Sequence, residues 1–255
     1  MVQTMAAISM HGVSKRFRAY DYGNRWLRRE LIELMRGKRN PREWRTVLRE
    51  INLEISQGET VAVLGCNGSG KSTLLKLMAG ILQPTTGRVI SRGSTGTLLD
   101  IGTGFHEDLT GRENVFVDGA ILGLSERYLR AILPEIEGFA ELEGFMDTPL
   151  RYYSSGMKAR LGFAVAMSAD PDIFLIDEIL AVGDEGFRRK CFARLDELVS
   201  RGRTIVIVSH DIDAVRRLCT RGIWLHDGIA KADGPIHEVC DQYLSHYETE
   251  LPIGG

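Results

Sequence analysis

The chain has 255 residues, 44% hydrophobic and 26% charged, with a formal net charge of −2 at pH 7. This composition excludes a disordered chain and supplies enough apolar material for a sizeable core. The longest apolar-rich stretch, Leu161–Ala169, is about half of the roughly 18 residues that a transmembrane helix requires. Met1–Gly12 lacks the basic start and apolar core of a secretory signal. The four Cys (Cys66, Cys191, Cys219, Cys240) form no C-x-x-C pair and read as reduced cytosolic thiols rather than a disulfide frame or a zinc site.

The charge is unevenly spread. Lys15–Arg49 carries 12 Lys/Arg against 4 Asp/Glu, a net +8, so the rest of the chain carries −10. Such an excess suits an anionic surface, whether lipid headgroups, nucleic acid or an acidic partner. It equally suits a solvated, Arg-rich helix face.

In chain order, Ile51–Leu64 predicts a strand, a turn at Gln57-Gly58 and a second strand. Thr60–Leu64 is the short, β-branched kind buried in a parallel sheet. A glycine-rich loop then leads into a helix over Lys71–Ala79, with Leu74, Leu75, Leu77 and Met78 as core candidates and Gly80 as its stop. Pro84–Gly87 is a turn. Helices are predicted over Glu126–Ile136, Gly156–Ser168, Phe187–Ser200 and Ile212–Cys219. Buried strands are predicted over Ile173–Ile176 and Thr204–Val208, with a weaker one at Gly222–His226. Strands alternating with helices predict an α/β fold with a mainly parallel sheet. Leu109–Ala169 contains no buried strand and is expected to be a helical insertion.

Gly65-Cys66-Asn67-Gly68-Ser69-Gly70-Lys71-Ser72 fits G-x-x-x-x-G-K-[ST], between a buried strand and a helix. Its glycines let backbone N–H groups turn onto a β-phosphate, and the helix N-terminus adds its positive dipole end. Lys71 would reach the β- and γ-phosphates of ATP, Ser72 would coordinate Mg²⁺, and Thr73 could add a phosphate contact. Cys66 is a filler at a variable loop position, although a modified thiol there would block nucleotide entry.

Ile173–Ile176 ends in Asp177-Glu178. A buried strand stopping in two carboxylates sets them at the sheet's C-terminal edge, beside the phosphate loop. Asp177 would hold Mg²⁺, and Glu178 would polarise the attacking water as general base.

Tyr153-Ser154-Ser155-Gly156-Met157 stands just before a predicted helix. At this point the chain resembles the ATP-binding subunits of ABC transporters, whose L-S-G-G-Q signature here reads Y-S-S-G-M. The resemblance implies a P-loop NTPase core of the RecA-like type, an ABC-type antiparallel β region and a helical subdomain. It also implies that Ser154, Ser155 and Gly156 close over the ATP of a second subunit. A Ser hydroxyl and a Gly amide at a helix N-terminus are good γ-phosphate donors, though Ser-Ser-Gly alone is also an ordinary helix cap. Leu180–Asp184 stands at the family's D-loop, placing Asp184 between the two sites of a dimer. Val208-Ser209-His210-Asp211 looks like its switch histidine, with the His210 imidazole near the γ-phosphate. The family's usual Gln is missing from Leu98–Phe105, where Asp100 is a candidate substitute. Phe17, in Lys15-Arg16-Phe17, stands where a Tyr usually stacks on adenine; it can stack but not hydrogen-bond.

The resemblance spans Ile8 to Tyr247 and narrows to the exporters of O-antigen, capsule and teichoic acid. Asp21–Arg45 is a basic, amphipathic insertion: Trp26, Leu27, Leu31, Leu34 and Met35 lie largely on one side, with Arg25, Arg28, Arg29 and Arg36 on the other. It resembles that branch's gate helix and suits a membrane surface or a partner's underside. The expected organisation is an N-terminal strand with its aromatic (1–20), the insertion (21–45), a P-loop core (46–108 and 170–230), a helical subdomain (109–169) and a short C-terminal tail (231–255). The tail would carry no carbohydrate-binding domain, unless the chain is shortened. The resemblance implies an ATPase at the cytoplasmic face of the inner membrane, peripherally attached. It would act as a head-to-tail homodimer on two copies of an integral-membrane subunit, and on a lipid-linked glycan indirectly, with no nucleic acid. The alternatives are an ABC importer subunit, or a non-transport ABC ATPase whose basic insertion binds nucleic acid.

Overall fold

The structure, a computed structural model, describes residues 5–18, 44–99, 102, 104–177 and 183–250. Most of the basic insertion, together with Asp100, Glu178 and Leu180–Val182, lies outside the described residues.

Two sheets frame the molecule. In the first, β1 (Ala6–Arg18) pairs antiparallel with β2 (Trp44–Ser56) on one side and β4 (Thr86–Ser91) on the other. Trp44 and Arg45 are therefore strand and not part of the insertion assigned to 21–45, and β2 and β4 belong to this antiparallel unit rather than to the P-loop core. The second sheet has the order β5-β6-β7-β3-β8-β9, from β3 (Thr60–Leu64), β5 (Thr95–Leu98), β6 (Ile173–Asp177), β7 (Thr204–Val208), β8 (Arg221–His226) and β9 (Ile229–Pro235). All of its pairings are parallel except β8 with β9. This is the α/β fold with a mainly parallel sheet.

Alternation along the central strands sorts two cores, because successive side chains of a strand point to opposite faces. Ala62, Leu64, Phe174, Ile176, Ile205, Ile207 and Trp224 face the helices α5 (Glu185–Ser200), α6 (Ile212–Leu218) and α7 (Ile236–Glu250), meeting Phe187, Leu195, Val215 and Val239. Val61, Val63, Leu175, Val206, Val208, Ile223 and Leu225 face the antiparallel sheet and the helix α1 (Lys71–Met78). Both faces are covered, which is why β3 and β7 are buried at every residue and read as unbroken apolar runs.

Between β5 and β6 lie α2 (Gly111–Ile121), α3 (Glu126–Ala140) and α4 (Ser155–Met167), around their own cluster of Val115, Leu129, Leu133, Ile136 and Leu161. Helix α4 serves two cores at once. Its Leu161, Ala164 and Val165 pack in the helical cluster, and its Phe163 and Met167 pack against the sheet. A helix buried on two sides is apolar nearly all round, as Leu-Gly-Phe-Ala-Val-Ala-Met shows. Of the stretch 231–255, expected as a short tail, residues 231–250 carry the end of β9 and the helix α7, whose Ile236, Val239 and Cys240 are buried.

Candidate active site

Helix α1 begins differently from its neighbours. Five other helices or their starts are closed by a side-chain oxygen, from Thr110, Ser125, Ser154, Asp184 and Asp211. Helix α1 has Gly70 at its N-cap, in a left-handed conformation with φ 108°, and no side-chain cap. The first turn of a helix leaves its N–H groups without intrahelical carbonyls. Here they meet the loop, with the dipole's positive end behind them. Gly65 and Gly68 also have positive φ, 152° and 82°, which L side chains rarely adopt.

Lys71 is 5% exposed and arches back over the loop. Its Nζ donates to the carbonyl oxygens of Gly65 at 2.7 Å and Cys66 at 3.0 Å. Ser69 is 2% exposed, and its Oγ has no hydrogen-bond partner. A buried hydroxyl without a partner is costly. A ligand oxygen entering the loop offers a remedy. The loop, with a cation, open amides and an orphaned hydroxyl, fits a phosphate group.

The sheet sets the acidic residue opposite this loop. Val63 pairs with Val208, and Val208 pairs with Asp177 on its other side. Asp177 therefore lies on one rung with Val63, next to the end of β3, two strands and about 10 Å away at the usual spacing. The end of β7 leads into Ser209, whose Oγ accepts from the Asp211 N–H at 3.1 Å, and His210 between them is exposed.

A cavity of about 790 Å³ joins these parts. It is lined by Phe17, Asn67, Gly68, Gly70, Lys71, Ser72, Thr73 and Asp177, and by Arg45, Val47 and Leu99. Phe17 is 37% exposed at its mouth, with Lys15 Nζ 5.1 Å over its ring. Sequence reasoning did not single out Val47 and Leu99, and it counted Arg45 in the insertion. No local motif marks them: the β1–β2 register, which sets Phe17 against Arg45, carries Arg45 and Val47 to the cavity, and Leu99 follows β5, whose Leu98 pairs with Ile176 of β6.

Ser154, Ser155, Gly156, Asp184 and His210 do not line this cavity. Ser154 caps α4, its Oγ accepting from Met157 N–H at 3.1 Å. Ser155 beside it is exposed. Asp184 caps α5, its Oδ1 accepting from Phe187 N–H at 3.0 Å. That hydrogen bond, with Arg160 nearby, holds the Asp184 carboxyl below the usual carboxylate range.

The family model for ABC transporters matches residues 48–181, from within β2 through the phosphate loop to just past β6. The chain belongs to the ABC transporter family. It is 46% identical, over 95% of its length, to the O-antigen export system ATP-binding protein RfbB of Myxococcus xanthus, of which it covers 56%. It is 43% identical, over 79% of its length, to the teichoic acids export ATP-binding protein TagH of Bacillus anthracis, of which it covers 36%. The chain thus spans little more than half of the first relative and about a third of the second. Among solved structures, the dimeric ATP-binding cassette MJ0796 in a post-hydrolysis state with ADP and Pi matches with a TM-score of 0.71 and 25% identity, over 90% of this chain and 98% of that one. Among the described residues no helix is long and apolar enough to cross a membrane.

Proposed function

We propose that this chain is an ATPase subunit that energises export of a lipid-linked polysaccharide through a membrane partner. One observation carries the ATPase part: the uncapped α1, the arched Lys71 and Asp177 share one cavity. The export part is supported by the relatives that export O-antigen and teichoic acids.

Lys71 and the loop amides would hold the β- and γ-phosphates, with the loop's positive potential drawing the polyphosphate in. Thr73 would add a phosphate contact, and the Phe17 ring at the mouth would stack on adenine. Ser72 and Asp177 supply hard oxygen donors on the same cavity wall, a set that suits Mg²⁺. When bound there, Mg²⁺ would neutralise charge building on the phosphate oxygens. Glu178, which follows Asp177 in sequence, would take a proton from the attacking water. His210, at the end of β7, would orient the γ-phosphate.

The monomer leaves Ser155 exposed and outside the cavity. A head-to-tail dimer would bring Ser154, Ser155 and Gly156 of one chain over the ATP of the other, with Asp184 between the two sites. Closure of that sandwich would drive two copies of an integral-membrane subunit. The chain would sit peripherally at the cytoplasmic face of the inner membrane.

The test has two parts. The purified chain should release phosphate from ATP in Mg²⁺, and Glu178→Gln should keep ATP binding while losing most turnover. Near-wild-type hydrolysis in that variant would refute Glu178 as the base. A tagged chain drawn from detergent-solubilised membranes should bring a stoichiometric multi-span membrane protein; ribosomal proteins or nucleic acid in its place would overturn the export reading.

A further inference from the structure

Helix α4 starts at the Ser154–Gly156 turn and is apolar along most of its length, yet Arg160 in its middle is half-buried. The Arg160 side chain is 18% exposed. Its guanidinium forks between two carboxylates from different parts of the fold. One arm meets Glu141 Oε2 at 2.7 Å, at the end of α3. The other arm donates to Asp184 Oδ2, at the start of α5. Between the arms the guanidinium lies 5.1 Å over the Phe187 ring. Phe187 in turn stacks edge-on against Phe139 of α3 and Phe163 of α4, at 5.7 and 5.9 Å.

Both carboxylates are exposed, and the Arg160 guanidinium is half-buried between them. Exposed pairs contribute little because water screens them. Here the ring beneath excludes water from one face, and the planar fork matches two acceptors at once. Asp184 divides its oxygens: Oδ1 caps α5 through the Phe187 N–H, and Oδ2 takes Arg160. The direction of that cap is therefore set by a residue five positions after Ser155. A second link continues onward, where Arg188 of α5 reaches the Asp211 carboxylate at 3.5 Å. Asp211 caps α6 immediately after His210.

We propose that Arg160 is a positioning residue for ATP turnover, tying the Ser154–Gly156 helix to the Asp184 cap. The inference rests on the ATPase reading above. In a head-to-tail dimer the Ser154–Gly156 end of this tie would lie over the ATP of the other chain and the Asp184 end between the two sites, so Arg160 would carry closure at one site to the boundary they share. Its contribution would appear in kcat and not in nucleotide affinity, because Arg160 does not line the nucleotide cavity.

The test compares wild type with Arg160→Gln, Arg160→Lys, Glu141→Gln and the double variant Arg160→Gln/Glu141→Gln. Four quantities are measured: kcat, the Kd of a fluorescent ATP analogue, the melting temperature, and hydrogen exchange at the Phe187 amide. Glu141 does not line the nucleotide cavity, but it also pairs with Lys190 at 2.5 Å, so Lys190→Gln is added as the control for that second ion pair, and it should leave kcat within about twofold. The expected result is a kcat loss of about fivefold or more in Arg160→Gln and a smaller loss in Glu141→Gln, the size of coupling that contacting charged residues show. Kd should stay within about twofold, the double variant should be no worse than Arg160→Gln, and Arg160→Lys should restore part of the rate. Phe187 exchange should rise in Arg160→Gln. Additive losses, losses that follow the melting temperature, or an unchanged kcat would overturn the proposal. A wild-type chain that turns over no ATP would overturn the ATPase reading instead, and in that case the Phe187 exchange alone decides whether Arg160 sets the cap.

Discussion

The Lys71 ammonium closes on the carbonyl oxygen of Gly65, 2.7 Å away, so the phosphate loop is folded around its own cation. Lys71 thus does two things: it stands for the incoming phosphate, and it ties the loop's first residue to its last. Lys71→Ala removes both. ATP affinity should fall at least tenfold, about 1.4 kcal/mol, with no measurable turnover. Titration of a fluorescent ATP analogue, with circular dichroism to show that the sheet is intact, checks this. Binding within about twofold of wild type would remove Lys71 from the site.

Two glycines of the same loop should answer differently to alanine. A Cβ at Gly65 would stand 2.3 Å from the Leu225 carbonyl oxygen and 2.7 Å from Ser69 Oγ. A Cβ at Gly68 meets nothing within 4 Å. Gly68→Ala should cost about 1 kcal/mol, the strain of its positive φ alone. Gly65→Ala adds a backbone clash and should cost about 3 kcal/mol or more. Urea unfolding midpoints of the two variants give the comparison.

The four cysteines are chemically unequal. Burial pushes the Cys191 and Cys219 thiols up to about 12 and raises that of Cys240. A raised thiol pKa leaves almost no nucleophilic thiolate near neutral pH. Cys66 is only partly buried, within the phosphate loop. A maleimide at about pH 7 should therefore label one thiol per folded chain, and peptide mapping should place it at Cys66. ATP should slow the labelling, and 4 thiols should react once the chain is unfolded.

Asp118 on α2 has no ion pair among the described residues, and burial raises its pKa. A carboxyl whose folded pKa lies above its unfolded value favours the protonated folded state. Its ionisation therefore destabilises the fold as pH rises through that value, and the cost is absent below the ordinary carboxylate range. Asp118→Asn should raise the melting temperature near pH 7 and leave it unchanged near about pH 3. Differential scanning calorimetry at the two pH values checks the sign, and an equal gain at both would refute it.

Local sequence determined the chemistry of this protein. Gly65–Ser72 carries its glycines, lysine and serine at fixed spacing, because phosphate recognition by backbone amides needs a single short segment. Thr60–Leu64, Ile173–Ile176 and Thr204–Val208 were legible as buried strands for a similar reason: a strand covered on both faces is apolar at every position. Strands with mixed exposure were harder. β4 (Thr-Gly-Arg-Val-Ile-Ser) and β9 are largely exposed, so no periodic apolar signal marks them. The helix α7 was legible: its buried Ile236, Val239 and Cys240 stand at i, i+3 and i+4, the helical period, although the expected organisation counts the stretch only as a short tail.

Tertiary structure alone decided what shares a space. Asp177 and the phosphate loop are about a hundred residues apart in sequence, and the β3-β7-β6 register sets Asp177 on one rung with Val63, two residues before the loop. Phe17 and Arg45 meet at the cavity through antiparallel pairing, which depends on long-range hydrogen bonds and not on either residue's neighbours. The fork of Arg160 between Glu141 and Asp184 is the furthest from the sequence. Three charged residues among 66 Lys, Arg, Asp and Glu carry no label of their own, and only packing α4 between two cores brings them within reach.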